Sequence, residues 1–426
     1  MRLTGLQVTN YRGFKHRTEV QVRPLTLLFG YNSSGKSALV RLLPLLAASV
    51  DGKTGEPLDL SSASLRGARF EELLCQLPPS RPELDLGLDF ADDTGRRWAW
   101  RRTLRHLQER NRRLHIVERF ESELGNESKI TATWVPNERI LPIYRVEAGT
   151  RPVREIQLTQ RGLSLRGAAE EFPELNQVAE QEAALAGQVY WLDSMRRLPE
   201  RLLPLPSSQE RVGSSGVEAY GLLASDRLAD GELVQAVSAW FERSTGYGLD
   251  VTILPVPRSD DRFSVELLPR HGPNLRVPIL DTGEGMGQVL AVVVLAKLAK
   301  LGRLYPDPIL ALEHPELHLH PRAHEALAEL LLETARDCAG AAIIVETHSP
   351  SLLLRVQIAV ARGEISKDHV AIWWIRDSDD GSSVADRVEL DEDGAPVGWP
   401  PDAFAEDSRL ARELLEIRRS RLGTKA

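Results

Sequence analysis

Gly30-Tyr31-Asn32-Ser33-Ser34-Gly35-Lys36-Ser37 matches the pattern G-x-x-x-x-G-K-[ST]. Residues of these types at this spacing can wrap a polyphosphate. Consecutive backbone N–H groups and a helix N-terminus converge on one anion. The lysine reaches the β- and γ-phosphates, and the terminal hydroxyl coordinates Mg²⁺. The flanks suit that chemistry: Leu25 to Phe29 reads as a buried strand, and Ala38 to Leu43 as the opening turns of a helix. Gly30, Asn32, Ser33, Ser34, Gly35, Lys36 and Ser37 are therefore candidate ligands of a nucleoside triphosphate, with Ser37 directed at its metal.

A second glycine cluster, Gly283, Gly285 and Gly287 followed by Gln288, opens an apolar helical stretch and repeats the same physics. Its G-x-G-x-G spacing, with no clear strand before it, fits a dinucleotide fingerprint weakly; taken alone, it reads equally as a tight turn. Downstream, the apolar run Ile309 to Leu312 ends in Glu313, a strand-end carboxylate able to hold the Mg²⁺ of a nucleotide. The run Ala341 to Val345 ends in Glu346-Thr347-His348-Ser349. His348 at that tip could meet a γ-phosphate or an attacking water, or satisfy a structural hydrogen bond. His314, His318, His320 and His324 invite a zinc reading, but HExxH is absent, and Pro315 and Pro321 break the helix such ligands would need.

Positioning these groups takes an α/β framework. Residues 2–9 and 16–22 alternate as half-buried antiparallel strands, and a helix is expected over about 37–50, followed by a short amphipathic helix from Phe70 to Leu77. Residues 83–160 read as antiparallel sheet, and 167–188 and 227–244 as helices, separated by a Pro- and Ser-rich segment from Leu198 to Gly216. From Val277 the α/β pattern resumes, with parallel strands at 310–312 and 342–345 and helices at 321–336, 350–361 and 406–421. An ATP-binding core split in two is expected: residues 1–95, an inserted β/helical region at 96–270, and a second half at 271–426. No long heptad pattern occurs, so no coiled-coil arm is expected.

Bulk properties narrow the class. With 42% hydrophobic and 27% charged residues the chain has the composition of a soluble globular protein. A net charge of −8 argues against a surface coated in DNA contacts, though a local basic patch remains compatible with it. Two cysteines exclude a disulfide framework and a Cys-based zinc site. No cleavable apolar leader or bilayer-length run is present, so a cytoplasmic protein with no membrane partner is expected.

The order of parts resembles an ABC-type ATPase head. It is similar to the family that includes OLD ATPases, RecF-like recombination ATPases and the ATPase subunits of Septu- and PARIS-type anti-phage systems. The resemblance rests on Asn10-Tyr11-Arg12-Gly13-Phe14, Phe29 to Ser37 (Walker A), Gly283 to Leu290 (signature), Glu313 to Pro321 (Walker B and after), Glu346 to Pro350 and Gly398-Trp399-Pro400, with Tyr190 to Arg201 a weaker landmark. These motifs span almost the whole chain. The resemblance implies a mixed sheet with flanking helices, ATP and Mg²⁺ as cofactors, Ser37 and Glu313 as metal ligands, and Arg12 as a phosphate or interface contact. It also implies that the signature of one subunit caps ATP held by the Walker loop of another, in a homodimer or higher even oligomer. The histidine-rich run is then a Walker B strand followed by a dimer-contact loop.

Two departures bear on catalysis. Where many relatives place a catalytic glutamate after the metal-binding acid, this chain has His314, and Gly287 stands where a serine is frequent. Slow hydrolysis is expected, with His314, Glu316 and His348 as the residues that position water, and a hydrolysis-deficient ATP-bound scaffold is the limiting case. The leading reading is a regulatory ATPase that controls a separate effector, a nuclease or toxin in bacterial anti-phage defence, because no effector domain is recognisable in the chain.

A RecF-like DNA-binding ATPase is the alternative. Its support is the stretch Arg96 to Arg119, nine arginines against Glu109 and Glu118 with Trp98 and Trp100 among them. The same stretch reads as the solvated face of a β-hairpin, or as a dock for an acidic partner. Asp377-Ser378-Asp379-Asp380-Gly381 resembles a Toprim-type D-x-D element, but it sits between a strand and an alternating segment, as a hairpin turn does, and too little chain follows for a Toprim domain. An EF-hand fails because Val388 stands where its bidentate glutamate belongs.

Overall fold

A computed structural model describes residues 1–400 except 51–54, 110–111, 126–127, 138–139, 169, 208–210, 257–260 and 272–274, together with 403–404, 409 and 413. The helix expected over 406–421 lies outside the described residues apart from Arg409 and Glu413. The first strands are β1 (Arg2–Thr9), β2 (Thr18–Gln21) and β3 (Leu25–Gly30), followed by helix α1 (Lys36–Val50). Next come β4 (Glu83–Ala91), β5 (Arg97–Glu109), β6 (Arg112–Leu124), β7 (Ser128–Trp134), β8 (Ile143–Ala148) and β9 (Arg154–Gln157). A small hairpin, β10 (Thr159–Arg161) and β11 (Ser164–Arg166), leads to α2 (Pro173–Gln188) and β12 (Val189–Leu192).

The middle of the chain adds β13 (Leu203–Pro204), α3 (Glu218–Leu228), α4 (Glu232–Thr245), β14 (Tyr247–Leu254), β15 (Arg262–Pro269) and β16 (Val277–Pro278). It closes with α5 (Glu284–Lys300), β17 (Ile309–Glu313), α6 (Pro321–Asp337), β18 (Ala342–Glu346), α7 (Pro350–Ala361), β19 (Val370–Asp377), β20 (Ser383–Leu390) and β21 (Pro396–Val397).

The central layer is a seven-stranded mixed sheet in the order β12-β17-β18-β3-β19-β20-β21. Its first five strands run parallel, and β20 and β21 are antiparallel additions. Side chains alternate between two cores, as the period-2 geometry of strands requires. Leu28, Ile309, Ala311, Ile344 and Ile375 face a core shared with α1, α2 and the antiparallel sheet β2-β1-β4-β5-β6-β7-β8-β9. Leu27, Phe29, Leu310, Leu312, Val345 and Ile372 face a second core built from α3 to α7. Helix α5 is apolar nearly all round because it is packed nearly all round.

Several sequence expectations shift. Phe70 to Leu77 forms only one tight turn, Phe70–Leu73, because Pro78 and Pro79 follow closely. The helix expected at 167–188 begins at Pro173, the usual first helical position for proline. The helix expected at 227–244 is two: α3 ends at Leu228 and α4 restarts after Gly231, whose φ of 72° breaks the run. The eight-stranded sheet continues across residue 95, and Val189–Leu192, inside the stretch expected as an insert, forms the edge of the central sheet. Asp377–Ser383 is a hairpin turn with Gly381 at φ 78°, as the alternation after it implied.

Candidate functional site

The Gly30–Ser37 loop joins β3 to α1 at the C-terminal edge of the parallel strands, where open α/β sheets bind ligands. Its backbone requires its glycines. Gly30 lies at φ 146°, and a Cβ there would strike the Ile375 carbonyl oxygen. Gly35 lies at φ 110°, with a Cβ position 3.0 Å from the Phe14 ring and from Ser383 Oγ. Lys36 Nζ donates to the carbonyls of Gly30 (3.1 Å) and Tyr31 (2.7 Å), so the ammonium sits inside the turn of the loop. Burial lowers the Lys36 pKa, with Glu346 opposing the shift. Asn32 and Ser33 are exposed at the tip, and Ser34 Oγ is buried without a partner among the described residues.

The Asn10 to Phe14 motif braces this loop from beneath. Asn10 and Arg12 take positive φ values of 55° and 51°. Asn10 Nδ2 donates to the Arg81 carbonyl at 3.1 Å, and the Arg12 amide donates to the Leu73 carbonyl at 2.7 Å. Ser383 N donates to the Gly13 carbonyl at 2.7 Å, closing β20 onto the motif. The Arg12 side chain lies beside the Tyr11 hydroxyl, whose pKa burial raises and Arg12 partly restores.

Two strand-end carboxylates stand below the loop. Glu313 and Glu346 are register partners on β17 and β18. Glu313, 1% exposed, accepts from Arg41 Nε (2.8 Å) and Nη2 (2.5 Å) and from Trp191 Nε1 (2.9 Å). Arg41 keeps a raised pKa because Glu313 outweighs the cost of burial. Glu346 Oε1 accepts from Ser37 Oγ at 2.8 Å and lies 3.5 Å from His314 Nε2, while Oε2 is buried and unpartnered among the described residues. Burial raises the Glu346 pKa despite His314, Ser37 and Lys36 nearby.

His314 and His348 stack with ring centroids 5.2 Å apart. Partial burial, with Lys36 and His314 facing it, lowers the His348 pKa to about 4, so its ring is neutral at pH 7. Glu316 Oε1 accepts from Thr347 Oγ1 (2.7 Å) and from the His348 amide (3.0 Å), which fixes the tip carrying His348. The other histidines of the run have separate tasks. His318 faces Glu284 at 3.7 Å, His320 caps α6, and His324 bonds Ser349 Oγ at 2.9 Å. Among the described residues no group of three or more His, Cys, Asp or Glu could hold a metal ion. One hydroxyl and one carboxylate with a spare oxygen instead suit Mg²⁺, which keeps waters and phosphate oxygens as its remaining ligands.

The second glycine cluster starts α5 on the opposite face of the sheet from α1. Gly283 is its N-cap. A Cβ at Gly285 would strike the His318 carbonyl oxygen, and Gly287 packs against Leu198. Gln288 is buried and clasps the Arg196 backbone, accepting from its amide (3.2 Å) and donating to its carbonyl (2.7 Å). The Arg196 guanidinium in turn donates to the Glu313 carbonyl (3.2 Å) and the His314 carbonyl (3.0 Å). Arg196 therefore links the second cluster to the β17 end.

Sequence reading missed Glu346, Arg41, Trp191 and Arg196. Glu346 carried the same signal as Glu313, four apolar residues ending in a glutamate. Part of the arginine-rich stretch is engaged within the chain. Trp98 and Trp100 are 3% and 1% exposed and cannot stack on bases. Arg101 pairs with Asp89, Arg102 with Glu182, Arg105 with Glu118 and Arg119 with Glu121.

Fold and loop together define a mixed α/β ATPase head. Residues 113–354, more than half of the chain, match the model of the family described as AAA domain, putative AbiEii toxin, Type IV TA system, and the chain belongs to that family. Residues 1–69 also match an AAA ATPase domain model. The fold is similar to a solved Smc head bound to the C-winged helix domain of ScpA, at 13% identity and a TM-score of 0.51, over 92% of this chain and 99% of that one. An SMC head domain from Thermotoga maritima aligns at 12% identity and a TM-score of 0.45, over 92% of this chain and 100% of that one. No curated protein matches the sequence. Among the described residues no helix is long and apolar enough to cross a membrane.

Proposed function

We propose that this chain is an ATP-operated regulatory switch, acting in the cytoplasm as a head-to-head homodimer or higher even oligomer. The observation that carries the reading is the Lys36 ammonium held inside the Gly30–Ser37 turn, with Ser37 bonded to a strand-end carboxylate. In this reading Gly30, Asn32, Ser33, Ser34, Gly35, Lys36 and Ser37 cradle ATP. Arg12 contacts phosphate or the interface, and Gly283, Gly285, Gly287 and Gln288 present α5 to ATP on a second subunit. Mg²⁺ would supply charge neutralisation at the phosphates, held from Ser37 and a strand-end carboxylate of β17 or β18.

His314, Glu316 and His348 orient the attacking water. With histidine in place of a glutamate after Glu313, turnover is slow. ATP then serves mainly to close the dimer. Near-complete switching from a 1:99 equilibrium needs about 10⁴-fold tighter ATP binding to the closed state, and a stable interface buries on the order of 1,200–2,000 Å². The output is a separate effector, a nuclease or toxin of the kind the family description and the OLD, Septu and PARIS resemblance suggest, in anti-phage defence. Residues 1–95 and 271–426 are the two ATPase halves in this reading, with 96–270 a β/helical insertion that lends β12 to the sheet. Lys36→Ala should abolish nucleotide binding in calorimetry without unfolding the chain; a variant that binds ATP as wild type does removes the site assignment.

A further inference from the structure

We propose that Tyr31 of one subunit packs on Met195 of a second copy of this chain, and that this contact, made twice, anchors the head-to-head dimer. The inference rests on the dimer proposed above and names side chains that hold it. Position carries the first argument. Among the described residues, β3 and β12 are the only two of the five parallel strands followed within three residues by a large apolar side chain left in solvent. Tyr31, directly after β3, is 54% exposed, and Met195, three residues after β12, is 73% exposed. Both stand on the C-terminal edge of the sheet, the edge that carries the phosphate loop.

Symmetry carries the second argument. In the order β12-β17-β18-β3 the two residues sit three strands apart, on either side of the β17 and β18 ends. At about 4.8 Å per strand the separation is about 14 Å, too far for contact within one subunit. A two-fold interface pairs one position with another and repeats the pair across the axis, so two separated apolar positions flanking that axis suit it. Each residue also belongs to the half of the site that such a dimer would join. The Tyr31 carbonyl accepts from Lys36 Nζ at 2.7 Å in the phosphate loop. Met195 precedes Arg196, whose backbone Gln288 of the second glycine cluster clasps. The side chains match in kind as well. The Tyr31 ring stands edge-on to the buried Trp374 ring, 5.5 Å away at 86°, so it is held before a partner arrives. A pre-ordered aromatic loses little entropy on binding, and a flexible thioether adapts to its face or edge.

The test uses two proteins, one with Tyr31→Cys and one with Met195→Cys, each also carrying Cys75→Ala and Cys338→Ala so that no native thiol competes. Mixed with AMP-PNP, Mg²⁺ and a short bis-maleimide, they should form a cross-linked heterodimer, and neither protein should link to itself. Omitting the nucleotide, or adding Lys36→Ala to both, should cut the yield ~10-fold or more. In sedimentation of otherwise native chains, Tyr31→Ala should weaken the AMP-PNP-dependent dimer ~10-fold or more, and Tyr31→Phe, which keeps the ring, should stay within about threefold. Self-linking of either protein, or no heterodimer from chains that still dimerise with AMP-PNP, overturns the pairing and leaves the dimer standing. An unchanged dimer affinity in Tyr31→Ala does the same. A wild-type chain that binds AMP-PNP and stays monomeric overturns the dimer reading and the pairing with it.

Discussion

Glu313 and Glu346 sit side by side as register partners at the ends of two parallel strands, yet an arginine and an indole hold one while a serine hydroxyl holds the other. Two buried carboxylates this close cannot both be left uncompensated. Arg41, one turn into α1, neutralises Glu313 and so leaves Glu346 as the acid facing the loop. The helix that follows the phosphate loop thus also sets how the two carboxylates are paired.

Arg41→Ala should therefore destabilise the fold on the order of 3 kcal/mol, because it removes two of the three side-chain hydrogen bonds to the buried Glu313 carboxylate. Adding Glu313→Gln to that variant removes the stranded charge and should recover a large part of the loss. Urea denaturation of wild type, both single variants and the double variant gives the coupling energy directly. A single-variant cost below about 1 kcal/mol, or strictly additive effects, would show that the pair is not a unit.

Much of this site was legible in sequence because it is local. The loop, the strand before it and the helix after it are contiguous, so pattern and context can be read together from Leu25 to Leu43. The hydrophobic-then-acidic endings of β17 and β18 were equally visible. What was not legible is which acid faces Ser37, since that depends on sheet order, and sheet order puts β18 between β17 and β3. Arg41 and Trp191 are far apart in sequence and meet only through Glu313. The edge strand Val189–Leu192 was hidden because it follows α2 without a turn signal, four apolar residues that periodicity cannot separate from a helix end.

His348 gives a pH prediction. Its pKa of about 4 lies below the unfolded value of roughly 6.5. Between those values the unfolded chain binds the proton and the folded chain does not, so this group makes stability fall as pH drops from about 6.5 toward 4 and contributes no further change below that. A ¹H–¹⁵N or ¹H–¹³C histidine titration should place the His348 midpoint well below that of an ordinary exposed histidine. Replacing Lys36 by Ala should raise it, because the ammonium is one of the charges holding it down. A midpoint near 6.5 in wild type would mean that His348 is not enclosed as described.

The arginine-rich hairpin makes a stability prediction. Arg102 lies between the rings of Trp100 and Phe120, with its guanidinium carbon 4.5 Å and 3.4 Å from their centroids. It donates to Glu182 Oε1 at 2.5 Å and to the carbonyls of Leu163, Arg101 and Glu121. Glu182 also accepts from Trp100 Nε1 at 2.6 Å and from Ser164 Oγ. This buried network ties the hairpin to α2, and burial, against the pull of Glu182, lowers the Arg102 pKa only to about 10, so its guanidinium stays charged at pH 7. Removing one partner strands the other charge in the core, so Arg102→Ala and Glu182→Ala should each cost about 3–5 kcal/mol in chemical denaturation. Glu182→Gln, which keeps an acceptor for Trp100, should cost less than Glu182→Ala. Equal behaviour of the two Glu182 variants would assign the loss to charge alone. A cost for Arg102→Ala under about 1 kcal/mol would instead mark Arg102 as a surface residue free to meet an outside partner.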